Sequence, residues 1–268
     1  MDKNKQLIAV ESTQALARVG VQFGLANKVL EEKDAENKFS FEPEMVFVEG
    51  GTFQMGSDDY DVYVDNDCDD ENPVHIVKVD SFYIGKYQVT QKQWQEVMRN
   101  NPSDFKGDDL PVESISWNDT QDFLKKLNQK TGKNYRLPTE AEWEFAARGG
   151  TKSKNFIYSG SNDIDEIAWY VENSGMENHP VGKKQPNELY IYDMTGNVCE
   201  WCNDWYDENY YKNSPSSNPR GAILGSTRVF RGGCAYNPSR YCRVSKRYNT
   251  SPIYSTETNG FRVAFTPQ

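Results

Sequence analysis

The sequence predicts an α+β fold with much irregular structure for a chain of 268 residues. Short segments in which apolar and polar residues alternate indicate strands from residue 45 onward. Three helical patterns follow one another between residues 90 and 150, and two of them open with a capping box. Beyond residue 150 no helical period continues. That part of the chain is rich in Gly, Asn, Pro and Tyr, which is typical of loops and short strands.

The three helices are placed by their start and stop signals. Residues 90–93 (TQKQ) and residues 139–142 (TEAE) each form a capping box, in which the first side chain satisfies a free backbone N–H of the first turn. Between them, the spacing of Thr120, Leu124 and Leu127 predicts a second helix, which ends at Gly132. The third helix is expected to stop at the pair of glycines at residues 149–150.

Two strands are predicted from alternation. Val77 and Val79 alternate with Lys78 and Asp80, as in a strand with one face in the core. Near the C-terminus, residues 261–265 (FRVAF) alternate in the same way, so a terminal strand with a single buried face is expected.

The N-terminal part of the chain differs in character from the rest. Residues 5–33 predict one helix, with a coiled-coil-like seam formed by Leu16, Val19, Phe23, Ala26 and Leu30. The polar residues that follow form a linker, so residues 1–40 are expected to be a helix with a linker and residues 41–268 a domain. The helix either docks on its own domain or mediates a contact with a second copy or another partner, and the two interpretations remain open.

Composition and charge exclude several classes of protein. The formal net charge of −10 argues against a nucleic-acid partner, which would require a net basic face. No segment is long and apolar enough for a membrane span, so none is expected. No secretory leader is present in the chain as written, which predicts a cytoplasmic protein; a leader removed beforehand would instead allow the cell surface. Five cysteines in a chain of this length do not predict a disulfide framework, and Cys199 and Cys202 are interpreted as packing thiols.

Six short motifs stand in order between about residue 45 and residue 266, at residues 47–57, 87–90, 136–144, 193–201, 231–233 and 260–262. The run at 136–144 (RLPTEAEWE) is the most specific. Together the motifs resemble those of the formylglycine-generating enzyme, or sulfatase-modifying factor, family. This resemblance implies an elaborated C-type-lectin-like domain over more than four-fifths of the chain, and it does not cover the N-terminal helix.

The resemblance also implies what an enzyme of this family would need. The enzymes oxidise a substrate cysteine to formylglycine with two cysteines placed five apart after the Gly-Gly motif, and the thiolates bind copper, a ligand type that suits Cu(I). This chain has Cys234 and Cys242, eight apart, and Asn237 where the first catalytic cysteine would stand. We therefore expect no enzymatic activity, no catalytic residue and no bound copper. The alternative interpretations are an oxidase with a displaced cysteine pair or a structural accessory member of the family.

A structural calcium ion is the cofactor that the resemblance suggests. Family enzymes bind it through an Asx side chain, two backbone carbonyls and a Glu, which correspond here to Asp193, Gly196, Val198 and Glu200. Oxygen ligands in a tight turn suit such a hard cation. The competing interpretation pairs Glu200 with one of the C-terminal arginines.

The C-terminal 41 residues are basic and aromatic in an otherwise acidic chain. Four arginines stand at motif positions and are expected to pair with acidic residues of the core: Arg231, Arg243, Arg247 and Arg262. Between them lie tyrosines and small polar residues, a mixture typical of binding surfaces, in which Tyr supplies rigid contact area. Residues of this kind predict a ligand-binding surface formed by Phe230, Ala235, Tyr236, Asn237, Ser239, Tyr241, Tyr248, Asn249, Thr250, Ile253, Tyr254 and Ser255.

One branch of the family matches this arrangement. Variable proteins of diversity-generating retroelements keep the arginine and glycine motifs and randomise positions between them at adenines of asparagine-type codons. Every residue of the predicted surface can arise in this way, whereas Lys246 and Glu257 cannot and would be fixed. The sequence therefore predicts a non-catalytic protein that binds an unidentified protein or glycan through a variable, tyrosine-rich surface.

Overall fold

The computed structural model describes residues 41–58 and 69–267. The chain divides into two units between Ser40 and Phe41, and all described residues belong to the second unit. The predicted N-terminal helix and its linker lie outside the described residues.

Nine short strands form three sheets among the described residues. One sheet has the order β1-β4-β9, a second is the antiparallel pair β2-β3, and the third has the order β7-β6-β5-β8, in which only the β5-β8 pair is parallel. The half-buried strand predicted around Val77 is confirmed as β3. The strands are β1 (Met45–Val48), β2 (Gly51–Met55), β3 (His75–Val79), β4 (Phe82–Gly85), β5 (Cys199–Trp205), β6 (Arg228–Arg231), β7 (Arg247–Thr250), β8 (Asn259–Gly260) and β9 (Ala264–Phe265).

The three predicted helices are present. Thr90 and Thr139 form the expected capping boxes, and the second helix also begins with one, at Ser116, which the sequence analysis did not anticipate. Gly132 ends that helix in the left-handed conformation, at φ 71°. The helices are α1 (Gln91–Met98), α2 (Trp117–Thr131) and α3 (Glu140–Ala147), followed by the single turns α4 (Ile164–Ile167) and α5 (Tyr210–Asn213).

The core has two main parts. In the first, α1 and α2 pack on the C-terminal segment: the rings of Trp94 and Phe123 are stacked 5.2 Å apart, and Phe261 meets Phe123 edge-on at 5.3 Å. In the second, α3 is enclosed by the β2-β3 pair and the four-stranded sheet, and every residue of α3 except Glu142 is buried. A helix buried on nearly all sides places its acidic residues in the interior as well.

The buried acids of α3 are paired with arginines from the C-terminal sheet. The Arg231 guanidinium lies 3.2 Å from Glu140 and also pairs with Glu144, and all three side chains are almost fully buried. Arg247 reaches Glu140 at 2.7 Å. Burial alone would raise the pKa of Glu144, but Arg148 and Arg231 outweigh it and hold the pKa below its ordinary value of 4.5. Glu144 is therefore ionised inside the protein.

The predicted pairing of the motif arginines is confirmed. Besides Arg231, the Arg243 guanidinium binds Glu71 at 2.7 Å, and Arg262 binds Glu200 at 2.6 Å. The terminal strand predicted over residues 261–265 was expected to bury only one of its faces, and this expectation is wrong at Arg262. Arg262 is fully buried like its neighbours Phe261 and Val263, because its charge is neutralised by Glu200 rather than by solvent.

We expect Arg231→Met to lower the free energy of unfolding by about 3–5 kcal/mol, because it leaves two buried carboxylates with too little positive charge. The matched control is Lys86→Met. It breaks the pair with Glu44, in which both side chains reach solvent, and should cost about 1 kcal/mol or less. Urea denaturation measures both losses. Equal losses in the two variants would contradict the role assigned to the α3 network.

Candidate functional site: the C-terminal surface

The predicted binding residues lie on two strands and two loops that meet on one side of the four-stranded sheet. Phe230 in β6 and Tyr248 in β7 are direct partners in the sheet, and their rings are stacked 5.1 Å apart. Tyr248 donates a hydrogen bond from its hydroxyl to the carbonyl of Tyr241, at 2.6 Å, which ties β7 to the loop before it. Burial and then the charge of Glu257 raise the pKa of Tyr236 in loop 232–242.

An aromatic row crosses three strands beneath this surface. Trp201 of β5 pairs with Phe230 in the sheet, with their rings 5.6 Å apart, and Phe230 in turn stacks on Tyr248. Trp201 is completely buried, whereas Phe230 and Tyr248 are partly exposed. The row therefore runs from the core to the surface, and it gives the outer rings a rigid support.

A cleft of about 510 Å³ opens beside Tyr248. Three of the predicted residues, Tyr241, Tyr248 and Asn249, line it. The other walls include residues that the sequence analysis did not assign to the surface, among them Tyr206, Lys212 and Lys246. Tyr206 and Lys212 belong to a different part of the chain, about 40 residues earlier. Nothing in the sequence indicates that they lie beside β7. Lys246 was expected to be a fixed position.

Exposure divides the predicted residues into three groups. Ile253 and Tyr254 are 75% and 53% exposed, and Asn249 and Ser255 are also exposed. Ala235 is the opposite case. It is fully buried, with its N–H bonded to Asn197 and its carbonyl to the Ser174 hydroxyl, so its assignment to the binding surface is wrong. The third, partly exposed group comprises Phe230, Tyr236, Asn237, Ser239, Tyr241, Tyr248 and Thr250.

Asn237 has a structural role within that third group. Its side-chain oxygen accepts hydrogen bonds from the backbone N–H of Cys234, at 3.0 Å, and from the Cys234 thiol, at 3.2 Å. Its carbonyl accepts from the N–H of Val171. These bonds fix the shape of loop 232–242 and hold Asn237 to the loop.

Another feature that the sequence did not reveal is a guanidinium held between two indoles. Arg228, at the start of β6, lies 3.8 Å from the ring of Trp117 and 3.5 Å from the ring of Trp205. Its NH1 group donates to the carbonyl of Asn203 at 2.6 Å. These contacts join the start of α2 to the end of β5 and stiffen the sheet next to the partly exposed Thr250, the partner of Arg228 in β7.

The cysteines of this region are buried thiols. Cys199, Cys202, Cys234 and Cys242 are all free. Burial and then the neighbouring Cys234 raise the pKa of Cys242, which keeps its thiol protonated at neutral pH. A hydrogen bond from Cys199 lowers the pKa of Cys234. Asn237, which the resemblance places at the position of the first catalytic cysteine, carries no thiol.

The four residues predicted to bind calcium do come together. The backbone carbonyls of Asp193, Gly196 and Val198 and one carboxylate oxygen of Glu200 all face a single point. That point is the side-chain nitrogen of Gln88, whose two N–H groups are shared among the four oxygens. The ion stays a prediction, but the residues as arranged do not fit it. Within the described ranges, no group of three or more His, Cys, Asp or Glu side chains is arranged to hold a metal.

No helix in the described part of the chain has the length and apolar character that crossing a bilayer requires.

Comparison with known proteins agrees with the motifs and the fold. Residues 31–267 match the sulfatase-modifying factor enzyme 1-like domain. The chaperone protein LppX of Paenibacillus barcinonensis is 39% identical over 213 residues, which cover 61% of this chain and 72% of LppX. The formylglycine-generating enzyme of Streptomyces coelicolor is 35% identical over 174 residues, 58% of this chain, and the matched part spans about half (52%) of that enzyme.

Among solved structures, variable protein 1 of Treponema denticola superposes with a TM-score of 0.75 at 33% identity, covering 83% of this chain and 95% of that protein. The predicted α+β fold of the C-type-lectin-like, formylglycine-generating-enzyme type is thus confirmed, as is the resemblance to the variable proteins. The match over nearly the whole described region shows that the chain belongs to the sulfatase-modifying factor, or formylglycine-generating enzyme, family.

Proposed function

We propose that this protein is a non-catalytic member of its family that binds a protein or glycan ligand through a variable, tyrosine-rich surface at its C-terminal side. The observation that carries the proposal is the alternation along β6 and β7. Arg231 and Arg247 point inward to Glu140, and the partners Phe230 and Tyr248 stack on the opposite face. The pleat of these strands therefore places the anchoring guanidinium groups and the aromatic pair on opposite faces. Arg247 and the exposed Asn249, which share a face of β7, both line the cleft.

The chemistry of the surface suits recognition. Aromatic rings that are partly exposed and already held in place lose little conformational freedom on binding, and tyrosine adds a hydroxyl that can form hydrogen bonds. The cleft carries Tyr206, Tyr241 and Tyr248 together with Lys212 and Lys246. With the carboxylates of Asp70 and Glu208, this mixture of rings, amines, amides and acids fits a polar protein loop or a sugar better than a small apolar molecule.

The likeness to variable protein 1 of Treponema denticola supports the same proposal, because that structure matches this chain over most of the length of both. The family also contains formylglycine-generating enzymes, so oxidation of a substrate cysteine is the competing function. Asn237, at the position that the resemblance assigns to the first catalytic cysteine, argues against it, because an amide cannot supply the second of the two thiolates that a copper-binding cysteine pair requires.

Two asparagines of the predicted surface have different expected roles: the side chain of Asn249 is exposed to solvent, whereas the side chain of Asn237 stabilises loop 232–242. Asn249→Ala should change the free energy of unfolding by no more than about 0.5 kcal/mol, because its side chain is exposed. Asn237→Ala should cost about 1–3 kcal/mol, because it leaves the Cys234 N–H without its acceptor. Tyr254→Ala, at an exposed ring, should behave like Asn249→Ala.

Thermal or chemical melts of the three variants measure these differences without any ligand. If Asn249→Ala and Tyr254→Ala unfold as readily as Asn237→Ala, the exposed positions contribute to the core and the display surface is an incorrect assignment.

The non-catalytic part of the proposal is tested with a peptide containing Cys-x-Pro-x-Arg, incubated with the protein, copper and oxygen. We expect no aldehyde, detected by an aminooxy probe, under conditions in which the Streptomyces coelicolor enzyme serves as the positive control. Aldehyde that forms with this protein and disappears in Cys242→Ser would establish the oxidase instead.

A further inference from the structure

The turn from Asp193 to Glu200 directs several backbone carbonyls into the protein. Asp193, Gly196 and Asn197 all have positive φ, at 57°, 80° and 62°. At Gly196 a side chain would also have no room, since a Cβ atom would lie 2.3 Å from the carbonyl oxygen of Trp169. This conformation concentrates negative partial charge at the centre of the turn, and the oxygens there require a positive or hydrogen-donating partner.

The partner is the carboxamide of Gln88, which is fully buried. Its nitrogen lies 2.9 Å from the Val198 carbonyl, 3.1 Å from the Asp193 carbonyl, and 3.0 Å from a carboxylate oxygen of Glu200. The Gly196 carbonyl is 3.5 Å away. Four oxygens therefore surround one NH₂ group.

The orientation of this amide follows from its neighbours. The Gln88 side-chain oxygen accepts a hydrogen bond from the Asn197 side-chain nitrogen, at 3.1 Å. If the Gln88 amide were rotated by half a turn, its oxygen would face the four oxygens of the turn and its NH₂ group would face the NH₂ group of Asn197. Only the orientation described gives both the oxygen and the nitrogen of the amide a suitable partner.

Glu200 has no lone pair left for another partner. One carboxylate oxygen accepts from Gln88 and from Arg262, and the other accepts from the Trp143 indole N–H at 2.7 Å and from Arg262 at 2.6 Å. Arg262 also neutralises the charge of Glu200. One oxygen of the Asp193 carboxylate accepts from the backbone N–H of Gly182 at 2.7 Å.

A calcium ion does not fit this arrangement. Calcium takes six to eight oxygen ligands, and the carboxylates in its site supply the compensating charge. Here four oxygens converge, and the charge of the single carboxylate among them is already compensated by the buried Arg262 guanidinium. A second cation beside that guanidinium would be repelled by it in a low-dielectric interior.

We propose that the Gln88 carboxamide replaces the structural cation of the turn, so that this turn keeps its conformation without calcium. Gln88 lies just before α1, and the neighbouring Val89 N–H bonds to the Phe261 carbonyl at 2.9 Å. The single amide therefore joins the start of α1 and the C-terminal segment to the turn that leads into β5, the strand next to β6 of the candidate surface. The inference rests on these contacts alone and holds whether or not the surface binds a ligand.

The first test uses the wild-type full chain. Its melting temperature should be the same in EDTA and in millimolar calcium. A fall on chelation that is absent in Glu200→Gln would locate the ion at the turn and overturn the proposal. A fall that persists in Glu200→Gln would come from an ion bound elsewhere in the chain and would leave the turn calcium-free, as proposed.

The second test changes the amide itself. Gln88→Glu keeps the shape but replaces the donor with a carboxylate that faces four oxygens, so the melting temperature should fall by roughly 5 °C or more. Gln95→Glu makes the same chemical change at a partly exposed position of α1 and should shift it by about 1 °C or less. A Gln88→Glu variant as stable as Gln95→Glu would overturn the proposal. If Gln88→Glu does not fold, that loss supports the role of the amide, and the wild-type test still decides the question of calcium.

Discussion

The structure depends on the buried contacts between the carboxylates of α3 and the guanidinium groups of the C-terminal sheet. Arg231 and Arg247 are direct partners in β6 and β7, and both reach Glu140. Because side chains alternate along a strand, fixing these two arginines inward obliges Phe230 and Tyr248 to face the other way. A shift of one residue in register would turn the aromatic rings inward and leave the charges of Glu140 and Glu144 without partners. The same contacts therefore stabilise the fold and set the orientation of the surface.

A second anchor lies beside the first, at Glu200, which is the direct partner of Arg231 in the sheet. Glu200 in β5 is bonded on all sides by Arg262, Trp143 and Gln88. Trp143 belongs to α3, so both anchors meet on that helix. Long loops connect the short strands of this domain. The strands nevertheless keep defined positions, because buried charge pairs hold them in place rather than long ladders of backbone hydrogen bonds.

Much of this could be predicted from the sequence, for identifiable reasons. Helix starts at Thr90 and Thr139 are local signals, since a capping box lies within four residues. The inward arginines followed from the family motifs. The roles of Gln88 and Tyr206 could not be predicted, because each depends on partners distant in the chain: Gln88 meets a turn more than 100 residues later. Ala235 was wrongly assigned to the binding surface, because neither the codon type of a residue nor its neighbours in the sequence indicate whether its side chain is buried.

The central claim is that the exposed aromatic and small polar positions are free to change while the buried charge network is not. The most direct measurement is deep sequencing of the gene from many cells of one population. The account predicts substitutions concentrated at positions such as Tyr241, Asn249 and Tyr254, with Arg231 and Arg247 unchanged. Substitutions spread evenly along the chain, or the same residues at those positions in every cell, would contradict it.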